Sequence, residues 1–374
     1  MNVPKLRFKE FNDEWCYQSL SKYVNRITTK NKNNESDLVL TISAQYGLVD
    51  QTFFFNRSVS SSNLTGYYLL NNGDFAYNKS YSNGYPWGAI KRLNKYNQGV
   101  VSSLYICFKT NNLIDSNFLE QYFETNKWYQ QISEVSVEGA RNHGLLNIAV
   151  NDFFNTKHYI PSIKEQEKIS KFLSLLDKKI ELQSKKIEDL KLFKKGLSNN
   201  IFNNLKNFEE YKLGDLCNIT TGKLDANAMV ENGKYRFYTC AKEYSFIDEY
   251  SFDTEALLIS GNGAYVGYIH YYNGKFNAYQ RTYVLDQFSQ NIQFIKCYLD
   301  ENLSRRIKSE KKEGNTPYIV LSTLSDMIIK VPSKENQKNI SNIINYHQKK
   351  ILLEENKLQK LQELKKGLMQ NMFV

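Results

Sequence analysis

In two stretches of the chain apolar residues recur every three or four positions. The first carries Ile169, Leu173, Leu176, Ile180, Ile187, Leu190, Leu197 and Ile201; the second carries Ile340, Ile344, Ile351, Leu358, Leu361, Leu368 and Met372. That spacing lays the apolar side chains along one stripe of a helix, as in a coiled-coil seam. Pro161-Ser162 and Pro332-Ser333 stand just before the stripes. Proline suits a helix edge and serine can cap the first free N–H groups, so each stretch is predicted to be one long helix. About 36 residues at about 1.5 Å each would make a rod of about 55 Å. Elsewhere residues 100–108, 256–259, 265–272 and 282–285 are β-branched and aromatic, bounded by Gly, Asn and Asp, which predicts strands. Residues 117–133 and 291–308 are helical in pattern.

The two helical stretches are copies. Residues 160–202 align without a gap on 331–373, pairing Pro161/Pro332, Ser162/Ser333, Gln166/Gln337, Ile169/Ile340, Lys178/Lys349, Ile180/Ile351, Leu190/Leu361 and two Lys-Lys-Gly-Leu runs at one fixed offset of 171. Glu14-Trp15 followed by Leu20 has a counterpart in Glu210-Tyr211 followed by Leu216, and Ile27-Thr28-Thr29-Lys30 in Ile219-Thr220-Thr221-Gly222-Lys223. The chain therefore reads as one module, globular unit then long helix, used twice. Each globular unit is expected to be α+β, and the helices to pack on each other in antiparallel fashion. The boundaries expected are 1–160, 161–204, 205–332 and 333–374.

Composition excludes several classes. With 374 residues, 41% hydrophobic and 14% aromatic, the chain is too apolar for a disordered polymer and long enough for more than one core. No run of about 18 uncharged apolar residues occurs and the start lacks a signal-peptide core, so a cytoplasmic protein without a membrane partner is expected. Cys16, Cys107, Cys217, Cys240 and Cys297 are odd in number and none has a ligand spacing, which predicts buried thiols in a reducing compartment. The net charge of +10 admits a polyanionic partner. Its location weakens that argument: residues 161–202 hold 10 basic and 6 acidic side chains and 335–374 hold 7 and 4, so the helices carry most of the surplus.

No catalytic cluster emerges. Ser260-Gly261-Asn262-Gly263-Ala264-Tyr265-Val266-Gly267 is superficially a nucleotide loop, but a strand-like Tyr268-Ile269-His270-Tyr271-Tyr272 follows where a Lys-Ser/Thr or a helix should stand. A β-turn is expected there. His143, His158, His270 and His347 are far apart, and neither an Asn/Asp-Pro-Pro-Tyr run nor a metal-nuclease pattern is present. Binding is the better reading. The candidate DNA-contacting residues are Lys30, Lys79, Ser80, Asn83, Tyr85, Arg141 and Asn142 in the first half. In the second half they are Lys223, Asn262, Tyr265, Gln280, Arg281, Lys311, Lys312, Asn315 and Thr316, with Arg305, Arg306 and Lys308 adding a basic cluster. Lys and Arg neutralise phosphate, and Asn, Gln and Arg can pair with base edges.

The opening Pro4-Lys5-Leu6-Arg7-Phe8 with Phe11 and Trp15, the Tyr211-Lys212-Leu213-Gly214-Asp215-Leu216 that reopens the second half, and the duplicated Pro-Ser…Gln…Ile helix ending in Lys-Lys-Gly-Leu carry a resemblance. The whole chain resembles the specificity subunit of type I restriction-modification systems. The resemblance implies two target-recognition domains separated by two long antiparallel coiled-coil helices, a non-catalytic subunit reading a bipartite double-stranded DNA target, and helices acting as a ruler. It implies two adenine-methylating modification subunits and ATP-driven restriction subunits as partners. It also implies no cofactor in this chain, with S-adenosylmethionine, ATP and Mg²⁺ in the partners. The seam residues would be the helix-packing and docking positions. The recognition domains differ in length and loop sequence, so base-contacting residues do not carry over by position. Three other readings stand beside this one: the recognition subunit of a system with a fused methyltransferase-nuclease, a nucleotide-binding enzyme using 261–267, and a coiled-coil adaptor.

Overall fold

The computed structural model describes residues 2–43, 46–55, 63–81, 84–136, 146–310 and 318–374. The long helices are Ile163–Asn203 and Lys334–Met372. At 41 and 39 residues they exceed the expected 36. The chain forms two compact units: residues 1–183 with 357–374, and residues 184–356. Each long helix thus gives one part to each unit.

In the first unit, the strand Cys16–Ser19 pairs antiparallel with Lys157–Ile160, which runs directly into the first long helix. A four-stranded sheet follows in the order Val24–Arg26, Ile106–Thr110, Phe75–Asn78, Ala89–Arg92, with two further strand pairs, Leu40–Ser43 with Gly47–Asp50 and Tyr68–Asn71 with Gln98–Val101. The predicted strand 100–108 is two strands, because Ser102 to Tyr105 turn and the Tyr105 N–H donates to the Ser102 carbonyl. The predicted helix 117–133 is likewise Ser116–Phe123 and Tyr129–Val135, broken where Thr125 Oγ1 donates to the Tyr122 carbonyl. The main core collects Trp15, Phe75, Tyr77, Phe108, Phe118, Tyr122, Phe123 and Trp128, and Met369, Met372 and Phe373 from the end of the second long helix join it.

In the second unit, Phe208–Lys212 pairs antiparallel with Ile328–Pro332, the strand that leads into the second long helix. A six-stranded sheet runs in the order Asn218–Thr221, Thr282–Asp286, Phe252–Ser260, Ile269–Ala278, Tyr235–Tyr238, Ser245–Ile247. The helix Ile292–Glu310 covers one face, and Phe294 and Tyr298 pack on Phe202 from the first long helix. The core of this unit, with Leu257, Ile259, Leu285, Leu299 and Leu303, is closed in the same manner as that of the first.

Ile169, Leu173, Ile187, Ile344 and Ile351 are buried, and Leu176, Ile180, Leu190, Leu197, Ile340, Leu358, Leu361 and Leu368 are half-buried. Within the second unit the helices run antiparallel, since Lys186 pairs with Glu354 and Lys194 with Gln348. In the first unit Lys365 pairs with Asp177. Burying a Leu or Ile contributes about 1.5–3 kcal/mol, against about 0–1 for an exposed ion pair, so the apolar seam dominates and the ion pairs select direction. Not all five thiols are buried: Cys107, Cys217 and Cys297 are, Cys240 is half-buried, and Cys16 is exposed on a short edge strand. Burial pushes the Cys107 and Cys217 thiols up to about 12, so these remain protonated side chains of the core.

His158 is nearly inaccessible. Thr156 Oγ1 spends its hydrogen on the Phe153 carbonyl at 2.6 Å, so at 2.9 Å it accepts from His158 Nε2–H, leaving Nδ1 to accept from the Tyr122 hydroxyl at 2.8 Å. The ring is therefore neutral, and burial pushes its pKa down to about 3. Between the unfolded value of about 6.5 and this folded value the unfolded chain binds the extra proton, so stability is lost as pH falls through that window, by at most about 1.4 kcal/mol per pH unit. Trp15, Trp87 and Trp128 are the chain's three tryptophans and all lie in the first unit. Denaturation followed by tryptophan fluorescence is expected to show a lower midpoint at pH 5 than at pH 7, and His158→Gln is expected to flatten that difference.

Candidate nucleic-acid interface

Five loops of the second unit meet at one end of its six-stranded sheet. Strand Asn218–Thr221 ends in Gly222, whose N–H donates to the Thr282 carbonyl, and Leu224 bridges to Tyr279 while its carbonyl accepts from the Gln280 N–H. The Gly261 N–H donates to the Arg281 carbonyl, and Cys240 Sγ lies 3.3 Å from the same oxygen. Asn262 bridges to Tyr318. Two glycines permit this approach: a Cβ on Gly222 would overlap the Ala278 carbonyl, and one on Gly261 would overlap the Arg281 carbonyl. The backbone can converge there only without side chains.

The convergence brings together Lys223, Asn262, Tyr265, Gln280 and Arg281, five of the residues singled out in the sequence. Lys223, Tyr265, Gln280 and Arg281 are exposed and Asn262 is half-buried. Lys242, which sequence reasoning missed, lies 5.3 Å over the Tyr265 ring. Arg236, also missed, stands between two rings, 4.3 Å from Tyr244 and 4.5 Å from Tyr272, and donates to the Tyr238 hydroxyl at 3.4 Å. That hydrogen bond and the surrounding tyrosines hold its guanidinium charged and oriented. The alternation of Tyr235-Arg236-Phe237-Tyr238 could have placed Arg236 on one face of a strand. Its cage is formed by residues 8 and 36 positions away, which periodicity does not report. His270 ties the patch together: it packs on Tyr238 and Tyr268, and its Nε2–H donates to the Ala241 carbonyl at 2.9 Å.

The segment 261–267 is a pair of turns, with Val266 N–H donating to Gly263 and Tyr268 N–H to Tyr265, Gly263 and Gly267 at positive φ, and Gly267 N–H closing on Ser260. It leads into the strand Ile269–Ala278, so the strand expected over 265–272 begins at Ile269. No helix N-terminus opens there to cradle a phosphate, which removes the nucleotide-loop alternative. Among the described residues no group of three or more His, Cys, Asp or Glu could hold a metal ion, and no helix is long and apolar enough to cross a membrane.

The first-unit candidates are less well gathered. Lys79, Ser80 and Tyr85 share the connection between the strands Phe75–Asn78 and Ala89–Arg92, where all three are half-buried. Lys79 Nζ donates to the Ile148 carbonyl at 3.2 Å and burial lowers its pKa. Lys30 lies apart from these, donating to the Gly66 carbonyl at 2.9 Å with its ammonium 3.5 Å from the Tyr68 ring centre. Both ammonium groups are engaged by the unit itself. Asn83, Arg141, Asn142, Lys311, Lys312, Asn315 and Thr316 lie outside the described residues. Arg305 and Arg306 are no free basic cluster: Arg305 pairs with Glu301 and Asn199, and Arg306 with Glu310 and the Thr323 carbonyl.

Residues 205–363 match the type I restriction modification DNA specificity domain. Over 130 residues, 35% of this chain, the sequence is 40% identical to the EcoDI type I restriction enzyme specificity subunit of Escherichia coli, a match spanning 29% of that protein. Over 197 residues it is 27% identical to a putative type I specificity subunit of Mycoplasma pneumoniae, covering 49% of this chain and 79% of the relative. The fold is similar to the crystal structure of the type I S subunit from M. genitalium, with a TM-score of 0.64 at 19% identity over 100% of this chain and 99% of the other. It is similar too to a chain from a study of assembly and conformational transition in the type I system, with a TM-score of 0.59 at 16% identity over 97% and 98%.

Gly222→Ala is expected to destabilise the second unit by about 1–3 kcal/mol, the usual cost of overpacking. Hydrogen exchange of the strands Asn218–Thr221 and Thr282–Asp286 should accelerate, while the tryptophan emission of the first unit stays unchanged.

Proposed function

We propose that this chain is a specificity subunit of the type I restriction-modification kind, a non-catalytic reader of a bipartite double-stranded DNA target. Each globular unit would read one half of the target. The observation that carries the reading is the gathering of Lys223, Lys242, Asn262, Gln280, Arg281 and the caged Arg236 on one surface of the second unit. Cations of that surface neutralise phosphates. Gln280, Asn262 and Arg281 have the paired donors and acceptors that major-groove edges require.

The long helices serve two roles in this proposal. Their length sets the number of unread base pairs between the half-sites, and their outer faces dock two modification subunits, which supply adenine methylation with S-adenosylmethionine. Apolar side chains outside the seam support the docking role: Leu175 and Leu182 in the first unit, and Leu192, Phe193, Leu352 and Leu353 in the second, are all more than half exposed. ATP-dependent restriction subunits would join the larger assembly.

Methylation mapping in cells that carry the chain and its modification subunits should reveal methylated adenines in a two-part motif with an undefined spacer, absent when this chain is deleted. An intact system that leaves the methylome unchanged would sink the proposal. Gln280→Ala is expected to relax one base position in one half of that motif by about 1–3 kcal/mol of discrimination and leave the other half as it was, whereas Lys223→Ala should weaken binding across sequences and lower the salt slope by about 1. Lengthening the first helix within 178–194 together with the matching part of the second should change the spacer and neither half-site, as read by the same mapping.

A further inference from the structure

Gln166 and Gln337 are identical residues of the repeat, and they occupy the same buried position in the two units, 1% and 0% exposed. Gln166 Nε2 donates to the Pro161 carbonyl at 2.9 Å, and its Oε1 accepts from the Asp115 N–H at 2.7 Å. Gln337 Nε2 donates to the Pro332 carbonyl at 2.9 Å, and its Oε1 accepts from the Asn291 N–H at 3.0 Å. Asp115 and Asn291 are themselves equivalent. Each sits just before a helix of its globular unit and accepts through its side chain from the third residue on, Phe118 or Phe294. Those phenylalanines are fully buried against Phe373 and Phe202, respectively. One carboxamide thus joins three segments in each unit: the strand end that leads into the long helix, the first turn of that helix, and the cap of the helix belonging to the globular unit.

We propose that Gln166 and Gln337 are positioning residues that fix the angle and depth at which each recognition unit is held on its own stretch of long helix, and so set the spacer tolerance of the DNA target. The proposal rests on the functional reading above. The chemistry requires an amide, because one end must donate and the other accept within a fixed planar fork. A carboxylate of the same shape only accepts and would face the proline carbonyl with like charge. A methionine fills the space and makes neither bond, leaving a buried N–H and a buried C=O without partners.

The test uses the complete complex with its modification subunits and DNA duplexes carrying both half-sites, as mapped for the unaltered complex, with the native spacer or one base pair more or less. Gln166→Glu, Gln166→Met, Gln337→Glu and Gln337→Met are each expected to lower the ratio of methylation at native over altered spacers about tenfold, with the bases of each half-site still required. An unchanged ratio overturns the proposal, as does an equal fall on all duplexes, which is what plain loss of folded protein would give. Failure of all four variants to accumulate as folded chains also overturns it, by assigning the residues to stability alone. An unaltered complex with no two-part motif would overturn the functional reading instead, a result distinct from a motif whose spacer preference the variants leave untouched.

Discussion

The structure depends on the burial of one apolar stripe on each long helix. A solitary 41-residue helix with this sequence would leave Ile169, Leu173 and Ile187 in water, and helical propensity alone does not offset that. The seam is covered because the helices run antiparallel within a unit and because each globular unit closes its core on a helix end. Phe373 with Met372 completes the first core and Phe202 the second, 171 positions apart in sequence and equivalent in place. The first unit is made from two separate segments, residues 1–183 and 357–374, while the second is the continuous segment 184–356, and each uses part of both helices.

From that arrangement the rest follows in order. The strand pairs Cys16–Ser19 with Lys157–Ile160 and Phe208–Lys212 with Ile328–Pro332 bring each globular unit back to the start of a helix. Above this shared base the two units diverge. The first builds a four-stranded sheet with separate strand pairs, and the second one continuous six-stranded sheet. A common base under different upper parts fits the proposal that the two units read different half-sites from equivalent supports.

How much was legible in the sequence differed by the range of the interaction. The long helices, their seam and the repeat were fully legible, since a 3.6-residue period and a fixed offset are local and collinear. Strand and helix limits were less so. Residues 100–108 and 117–133 each read as one element and are two, because a side chain such as Thr125 turning on the Tyr122 carbonyl interrupts a pattern that composition alone would continue. Charge was the least reliable guide. Arg305, Arg306, Lys30 and Lys79 look free in a string of letters, yet each spends its donors on a partner within its own unit.

By itself, then, the sequence determined the duplicated module, the two rods and the absence of a recognisable catalytic motif, because these depend on spacing along the chain. Only the tertiary structure decided which polar residues share a surface. Lys223, Asn262 and Gln280 come together through the close backbone approach that Gly222 and Gly261 permit, and Arg236 gains its role from Tyr244 and Tyr272. The same holds for Gln166 and Gln337. Sequence comparison shows them repeated, but the partner that gives each its meaning is a backbone N–H some fifty positions away, placed there by the packing of a whole unit.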